Sequence, residues 1–257
     1  MNKMTQEELI WRWKQVGGYY LCPRDGSGKR IGPLVGYAGT YKDGDQDKHF
    51  VGDAYFNFAK VEEDSSALNL FAEVLALAIR DFQDLPGNKP VDWVLGAPMG
   101  GIALACTLSH HLGCKFLYAE KKVTKAASRG EREESVLALV RHEIPAESNG
   151  FVTEDVVNNY STTQSMIDLI EDGCDAHCSG ITCGLNRSNQ TEYRPRQEGN
   201  RPVIAALHIP TPQYRQDDDA VAGDIAAGNV AWKPKAEWAK LMRAMEIGAH
   251  MMPGTVV

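Results

Sequence analysis

The sequence predicts an α/β protein built on a parallel β-sheet that is covered by helices on both faces. Helical spacing of apolar residues appears around residues 5–15, 65–83, 100–112, 161–172 and 235–247. Short apolar runs rich in β-branched or aromatic residues separate the later helices. Such alternation is typical of a parallel sheet with both faces buried. With 257 residues, 43% of them hydrophobic, the chain can bury a sizeable core.

The predicted strands of this sheet are "DWVLGA" (92–97), "KFLYA" (115–119), "VLALV" (136–140), "GFVT" (150–153), "HCSGITCGL" (177–185) and "PVIAAL" (202–207). Residues 17–55 are instead dense in glycine and tyrosine, which indicates short antiparallel strands and turns. The predicted organisation is an N-terminal helix and hood over residues 1–60, a core over 61–207, and a C-terminal extension over 208–257 that ends in a helix.

Charge and hydropathy exclude two classes of partner. The 27 basic and 34 acidic residues give a net charge of −7, and no run of lysine and arginine is long enough to bind nucleic acid or an anionic membrane. The first residues lack the apolar segment of a signal peptide, and no stretch reaches the ~18 apolar residues of a membrane span. We therefore expect a cytoplasmic protein with neither nucleic acid nor membrane as partner.

The six cysteines are scattered along the chain, which indicates free thiols. The segment "CDAHCSGITC" offers Cys174, His177, Cys178 and Cys183 as zinc ligands. Their spacing fits no common zinc site, and strand alternation predicts that Cys178 and Cys183 point to opposite faces of the sheet. Buried structural thiols are the favoured interpretation.

Two loops lead from a predicted strand directly into a helix. Ligands of open parallel sheets bind beyond the carboxyl ends of the strands, where such loops lie. The first is "VLGAPMGGIALACTL", in which Gly100 and Gly101 allow backbone amides to approach a phosphate at the start of a helix. A tight turn needs glycine in any case, so this pattern alone leaves a structural and a binding role open.

The second loop, "GFVTEDVVNNYSTT", places Glu154 and Asp155 at the end of an apolar run and hydroxyl residues at the start of a helix. The hydroxyls could cap the helix or form an anion site with its N–H groups. A cap needs one acceptor only. Two carboxylates beside an anion site fit a ligand that has hydroxyls, or a Mg²⁺ ion that bridges carboxylate and phosphate. A sugar phosphate with its metal satisfies both.

Several segments together resemble the type I phosphoribosyltransferases. "FVTEDVVNNYSTT" is similar to that family's signature for phosphoribosyl pyrophosphate, and "GAPMGGIALACTLSHHLG" to its pyrophosphate loop. "AEKKVTKAASRGERE" resembles the lysine-bearing loop of the orotate branch, "AYFNFA" its aromatic pair, and "ITCGLNRS" the strand before its base-binding arginine. The resemblance covers roughly residues 50–190. It implies a Rossmann-like phosphoribosyltransferase core with an N-terminal hood and a C-terminal extension.

The resemblance also implies an activity and a site. Ribose 5-phosphate would pass from phosphoribosyl pyrophosphate to orotate, with release of pyrophosphate and with Mg²⁺ as cofactor. Glu154 and Asp155 would hold the ribose hydroxyls, directly or through the Mg²⁺ bound to the substrate, and Asp155 would be catalytic. The residues that would bind the 5′-phosphate are Asn158, Asn159, Tyr160, Ser161 and Thr162, and those that would face the pyrophosphate are Met99, Gly100 and Gly101.

Three lysines match the basic residues of the family's loop, namely Lys121, Lys122 and Lys125. Displacement at the anomeric carbon builds positive charge on the sugar and negative charge on the departing pyrophosphate, which preplaced cations stabilise. Lys122 and Lys125 are therefore implied to be catalytic and Lys121 to bind substrate. The alternative is a solvated run of lysines.

The resemblance assigns the base to residues elsewhere in the chain. Arg187 would grip the carboxylate of orotate, for which a guanidinium is well suited. Tyr55 and Phe56 would form the aromatic pair, although ordinary core packing explains them equally well. Lys48 is the nearest match to an upstream basic residue.

Departures from the family keep other functions open. Tyr160 stands where the family has glycine, and a tyrosine there is expected to resist a positive φ and to crowd the phosphate. The family's loop histidine is replaced by Ala127. The alternatives are transfer to another nucleobase, or a nucleotide-binding or regulatory protein of the same fold; the two acids and three lysines favour the enzyme. The resemblance further implies a homodimer whose mobile loops reach the neighbouring site.

Overall fold

A computed structural model describes residues 5–125, 134–197 and 199–251. The helices are α1 (Gln6–Gln15), α2 (Ala59–Glu62), α3 (Ser65–Gln83), α4 (Gly101–Leu112), α5 (Ser161–Glu171), α6 (Ala222–Ala226) and α7 (Trp238–Met251). The first strands are β1 (Tyr19–Leu21), β2 (Leu34–Asp43), β3 (Gln46–Gly52), β4 (Ala54–Phe56), β5 (Trp93–Gly96), β6 (Lys115–Tyr118) and β7 (Glu120–Lys125). The others are β8 (Glu134–Ala138), β9 (Asn149–Val157), β10 (His177–Asn186), β11 (Glu192–Tyr193), β12 (Arg201–His208) and β13 (Val230–Ala231). No helix among these is long and apolar enough to cross a membrane.

The chain forms two compact units, each made from two separate segments. The first contains the chain up to Val16 and Phe58–Pro210, and the second contains Gly17–Asn57 and the chain from Thr211 onward. The segment predicted as one N-terminal region is thus shared between them. Helix α1 belongs to the first unit because Trp13 packs edge-on against Phe58 and Phe71, each with ring centroids 5.4 Å away.

The first unit is built on a six-stranded sheet with the order β11-β12-β10-β9-β5-β6. The pairs β12–β10, β10–β9, β9–β5 and β5–β6 are parallel, and only the short edge strand β11 runs antiparallel. Helices cover both faces, since Phe151 of β9 contacts Phe82 of α3 while its neighbour Val152 clusters with Met166 of α5. This arrangement confirms the predicted α/β fold.

One predicted strand of this sheet lies elsewhere. The run predicted at residues 136–140 forms β8, which pairs antiparallel with β7 as a separate hairpin. The strands of a parallel sheet covered on both faces are buried. Strand β7, which pairs with this run, carries exposed lysines, so the pair does not fit in that sheet and the prediction was wrong. Residues 126–133, with Ala127, lie outside the described residues.

The prediction that Cys178 and Cys183 point to opposite faces was also wrong. A β-bulge between Cys178 and Gly180 adds one residue to β10, so that both cysteines pair with residues on the same face of β9. They still lie in different clusters of the core. No group of three potential metal ligands occurs among the described residues, and burial raises the pKa of the Cys178 thiol to about 12.

The second unit consists of short strands and two helices, as expected for its glycine-rich first segment. Strand β1 pairs antiparallel with β4, and β2 pairs antiparallel with β3 and parallel with β13. Its core includes Tyr20, Val35, Tyr37 and Leu241, so residues from both segments pack together.

Candidate functional site

The two loops singled out by the sequence lie side by side at the carboxyl edge of the central sheet. Strands β5 and β9 are parallel neighbours, with Gly96 opposite Thr153. Beyond them, the N–H of Ala97 donates to the carbonyl oxygen of Thr153 over 2.9 Å. This bond holds the turn after β5 against the strand that ends in Glu154 and Asp155.

Two positions of the turn must be glycine, because Asp155 and its strand leave no room for a Cβ there. A Cβ added to Gly100 would lie 2.2 Å from Asp155 Oδ2, and one added to Gly101 would lie 2.1 Å from the carbonyl oxygen of Thr153. Gly100 has an ordinary φ of −69°, so contact rather than dihedral freedom selects glycine there. The peptide bond between Pro98 and Met99 is cis, and the Met99 side chain is 81% exposed.

The first acid of the pair is buried. Glu154 is 8% exposed, and Thr163 Oγ1 donates a hydrogen bond to its Oε1 over 3.1 Å. Burial, followed by the neighbouring charge of Asp155, raises the pKa of Glu154 to about 8. Burial thus favours the protonated form of this carboxyl. Asp155 is partly exposed and lies at the open edge.

The loop between the acids and α5 has the geometry of an anion site. Asn159 Oδ1 accepts from the N–H of Ser161 over 3.3 Å and from its hydroxyl over 3.0 Å. The first hydrogen bond of the helical ladder is that of the Gln164 N–H to the carbonyl of Tyr160. The N–H groups of Thr162 and Thr163 are thus left at the helix terminus, where they favour an anion. Asn158 lies in the same turn.

Tyr160 adopts the conformation that the sequence analysis expected a tyrosine to resist. Its φ is +58° and its ψ 13°, in the left-handed region. The ring is only 7% exposed and packs with Val157, Ile181 and Cys183, and the hydroxyl lies 2.8 Å from Ser188 Oγ. These contacts offset the backbone strain. The position of the ring is therefore set by its packing in this cluster.

The β7–β8 hairpin brings one of the three lysines to this loop. Lys121 lines a cavity of about 500 Å³ together with Ser161 and Thr162. Lys122 is the next residue of the strand and therefore points to the other side of the hairpin. Lys125 ends the same strand.

Arg187 also lies close to this edge, at the end of β10. Its N–H donates to the carbonyl of Val157 over 2.9 Å, and the residue is 7% exposed. The first unit thus contains the acid pair, the glycine turn, the loop before α5, Lys121 and Arg187.

The remaining predicted residues belong to the second unit. Phe56 is buried and packs edge-on against Tyr19 with centroids 5.3 Å apart, and Tyr55 packs against Trp238 at 5.9 Å. Lys48 forms an ion pair with Asp43 over 2.5 Å. Their observed contacts are those of a packed core and a surface ion pair, which matches the structural alternative for the aromatic pair.

Sequence reasoning placed Thr163 at the start of a helix but gave it no role toward Glu154, and it missed Tyr193. Thr163 donates a hydrogen bond to Glu154, and its signal is a hydroxyl on the first turn of the helix that follows the acidic strand end. Tyr193 of β11 stacks on Tyr160 from more than thirty residues later in the chain, and nothing in the local pattern predicts that contact.

No family model matches the chain. An orotate phosphoribosyltransferase from Thermoanaerobacter sp. is 31% identical over 119 residues, which are 46% of this chain and 53% of the relative. A second, from Caldanaerobacter subterraneus subsp. tengcongensis, is 28% identical over 119 residues with the same coverage. The structure of Leishmania donovani UMP synthase matches with a TM-score of 0.51 and 12% identity, covering 95% of this chain and 43% of that chain.

These matches confirm the fold and the resemblance. The structural match shows that the α/β architecture is shared, and both curated relatives carry the name of the branch that the motifs resemble. The chain spans about half the length of these relatives, as the 53% coverage shows.

Proposed function

We propose that the protein is a phosphoribosyltransferase that transfers ribose 5-phosphate from phosphoribosyl pyrophosphate to orotate and releases pyrophosphate. One observation carries the proposal. Three features lie at one edge of the sheet: the acid pair with Asp155, the turn with Gly100 and the N-terminus of α5. We assign the acids to the ribose of the donor, the turn to its pyrophosphate and the helix N-terminus to its 5′-phosphate.

Each part of the donor has a matching group. The N–H groups of Thr162 and Thr163 take the 5′-phosphate, and Lys121 adds a positive charge from the wall of the same cavity. Glu154 and Asp155 hold the ribose hydroxyls. The turn at Gly100 lies against Asp155, which supports a pyrophosphate position beside the ribose that it leaves.

The proposed chemistry is displacement at the anomeric carbon. A nitrogen of the base forms a bond to that carbon as its bond to the pyrophosphate oxygen breaks, and the electron pair leaves with pyrophosphate. Asp155 stabilises the positive charge that develops on the sugar. Lys122 and Lys125 are the proposed cations for the departing pyrophosphate, since opposing charge lowers the barrier most where charge develops. Because Lys122 points away from the cavity that Lys121 lines, we propose that these two lysines serve the neighbouring site of the homodimer.

Mg²⁺ fits the donor set of this site. Mg²⁺ is commonly held by one or two carboxylates together with substrate phosphates, not by a cage of protein ligands. Asp155 is the partly exposed carboxylate of the pair and lies at the open edge of the sheet. Glu154 and Asp155 would hold the ion through the bound substrate, where it would neutralise pyrophosphate charge.

The base is the least constrained part of the proposal. Arg187 at the end of β10 supports orotate, whose carboxylate a guanidinium recognises. A second candidate is the same reaction on another nucleobase. The contacts of the second unit favour this candidate. Tyr55 and Phe56 take part in packing and Lys48 forms an ion pair, so these three residues give no support to orotate. Assembly as a homodimer and a cytoplasmic location are further parts of the proposal, supported by the family resemblance.

The test is pyrophosphate release from phosphoribosyl pyrophosphate and Mg²⁺ with a panel of bases. We expect release with orotate, and loss of release in Asp155→Asn but not in Glu143→Gln, a matched control on an exposed acid. Release with another base alone would select the second candidate. Nucleotide binding without release for any base would favour a regulatory protein of the same fold and contradict the enzyme proposal.

A further inference from the structure

A second cavity lies at the opposite, amino-terminal edge of the central sheet. It has a volume of about 440 Å³, which suits a small ligand. Residues at the start of three neighbouring parallel strands line it: Asn149 of β9, His177 of β10 and Arg201 of β12. Lys89, from the segment between α3 and β5, completes its charged lining. Because the acid pair and Arg187 lie toward the other ends of β9 and β10, this cavity is separate from the site described above.

The cavity is lined by a buried side chain that lacks one hydrogen-bond partner. Arg201 is 7% exposed, and its Nε has no hydrogen-bond partner in the described part of the chain. Buried polar groups are almost always paired, because an unmade bond costs about 1–3 kcal/mol. A molecule in the cavity can therefore supply an acceptor for this group. Asn149 lines the same cavity and is 6% exposed.

Two basic side chains line the cavity, those of Arg201 and Lys89. Arg201 Nη2 donates to Glu171 Oε1 over 2.8 Å, so the charge of Arg201 is paired. Glu171 also accepts from the N–H of Cys178 over 3.1 Å, so this one carboxylate serves several donors. Lys89 is exposed and forms no ion pair with any described residue, so it brings an unpaired positive charge to the lining.

We propose that this cavity binds the phosphate group of a small phosphorylated molecule. Lys89 supplies a positive charge without a competing carboxylate, Arg201 supplies a guanidinium fixed in place by Glu171, and Asn149 donates its amide hydrogen. A phosphate offers both the charge and the several acceptor oxygens that these groups require. The site is independent of the proposed transferase activity, since it shares no residue with it.

Inorganic phosphate is the probe for this site, followed by backbone amide chemical shifts in the full chain. We expect saturable shifts in residues 87–89 and 177–179 with a Kd of about 1 mM, the range of a weak single-group ligand. Lys89→Gln and Asn149→Ala should each weaken binding by roughly tenfold, which corresponds to about 1.4 kcal/mol. Lys115→Gln, an exposed lysine at the start of β6 at the same edge of the sheet, is the matched control and should bind as the wild type does.

Three outcomes would overturn the proposal. Shifts confined to Ser161–Gln164 would mean that phosphate binds only at the carboxyl edge, which leaves the transferase proposal intact. Equal affinity in all three variants would show that Lys89 and Asn149 take no part. Shifts that rise linearly with phosphate would indicate nonspecific screening.

Discussion

The ring of Tyr160 stacks on the ring of Tyr193, with centroids 4.5 Å apart and planes 9° from parallel. The hydroxyl of Tyr160 also pairs with Ser188 Oγ over 2.8 Å. Tyr160, the residue just before α5, is thus held by residues that follow strand β10. A left-handed tyrosine is sustained here by contacts from a distant part of the chain.

Substitutions of Tyr160 should separate the contribution of its hydroxyl to stability from the contribution of its ring. Tyr160→Phe keeps the stack and loses one hydrogen bond, so the free energy of unfolding should fall by about 1 kcal/mol. Tyr160→Ala removes the buried ring as well and should cost about 3–5 kcal/mol. Urea unfolding measures both, with Tyr118→Phe as a control outside this cluster. Equal losses for the Phe and Ala variants would contradict a stabilising role for the stack.

A methyl group at Gly100 should disturb Asp155 without unfolding the protein. Its Cβ would collide with Asp155 Oδ2, the end of a side chain that can rotate, so we expect kcat/KM for pyrophosphate release to fall by on the order of tenfold or more. Gly223→Ala is the control, because a Cβ there meets nothing within 4 Å. Unchanged kinetics in Gly100→Ala would show that this contact has no role in the reaction.

The two hairpin lysines should affect different steps. Lys121 lines the cavity beside the phosphate loop, so Lys121→Ala should mainly weaken donor binding. Lys122→Ala should lower turnover by on the order of 100-fold with little change in donor affinity, because its charge is proposed to act on the departing pyrophosphate. Steady-state kinetics and equilibrium binding of the donor distinguish them, with Lys115→Ala as control. Equal effects of Lys122→Ala on turnover and affinity would remove its catalytic assignment.

Asp64 should make the stability of α3 depend on pH. Its carboxylate accepts from the N–H of Ala67 over 2.9 Å and from the hydroxyl of Ser66 over 2.7 Å, and these bonds lower its pKa. A lowered pKa in the folded state means that the contribution is present above the unfolded value of about 3.9 and is lost as pH falls through the folded value. Asp64→Asn can still cap the helix but does not titrate there.

The difference in unfolding free energy between wild type and Asp64→Asn should therefore be constant near neutral pH and shrink below about pH 4. Urea titrations across that range measure it, and Asp84→Asn, just beyond the other end of α3, serves as the control. A difference that does not depend on pH would mean that the Asp64 charge contributes nothing to the cap.

The parts of the site that the sequence predicted are those fixed by local pattern and sheet topology. Glu154 and Asp155 follow one apolar run, and Gly100 follows another at the start of a helix. The two runs form parallel strands, whose carboxyl ends lie at the same edge of the sheet. Their proximity needed no knowledge of distant contacts.

The parts that the sequence did not predict depend on long-range contacts. The β-bulge in β10 shifts Cys178 to the face of Cys183, and a single inserted residue leaves no trace in an alternating pattern. Tyr160 was judged from its own backbone preference, but its conformation is decided by packing against Tyr193. Likewise, the β7–β8 hairpin depends on pairing across residues 126–133, which the apolar run at 136–140 does not encode.

The division of the second unit between two distant segments has a consequence for synthesis of the chain. Strand β2 is made early, but its parallel partner β13, in which Val230 lies opposite Leu34, is translated only after the whole central sheet. Closing so long a loop is slow, and an incomplete sheet presents unpaired edges meanwhile. The first strands of the nascent protein therefore lack this partner until the segment that begins at Thr211 has been made.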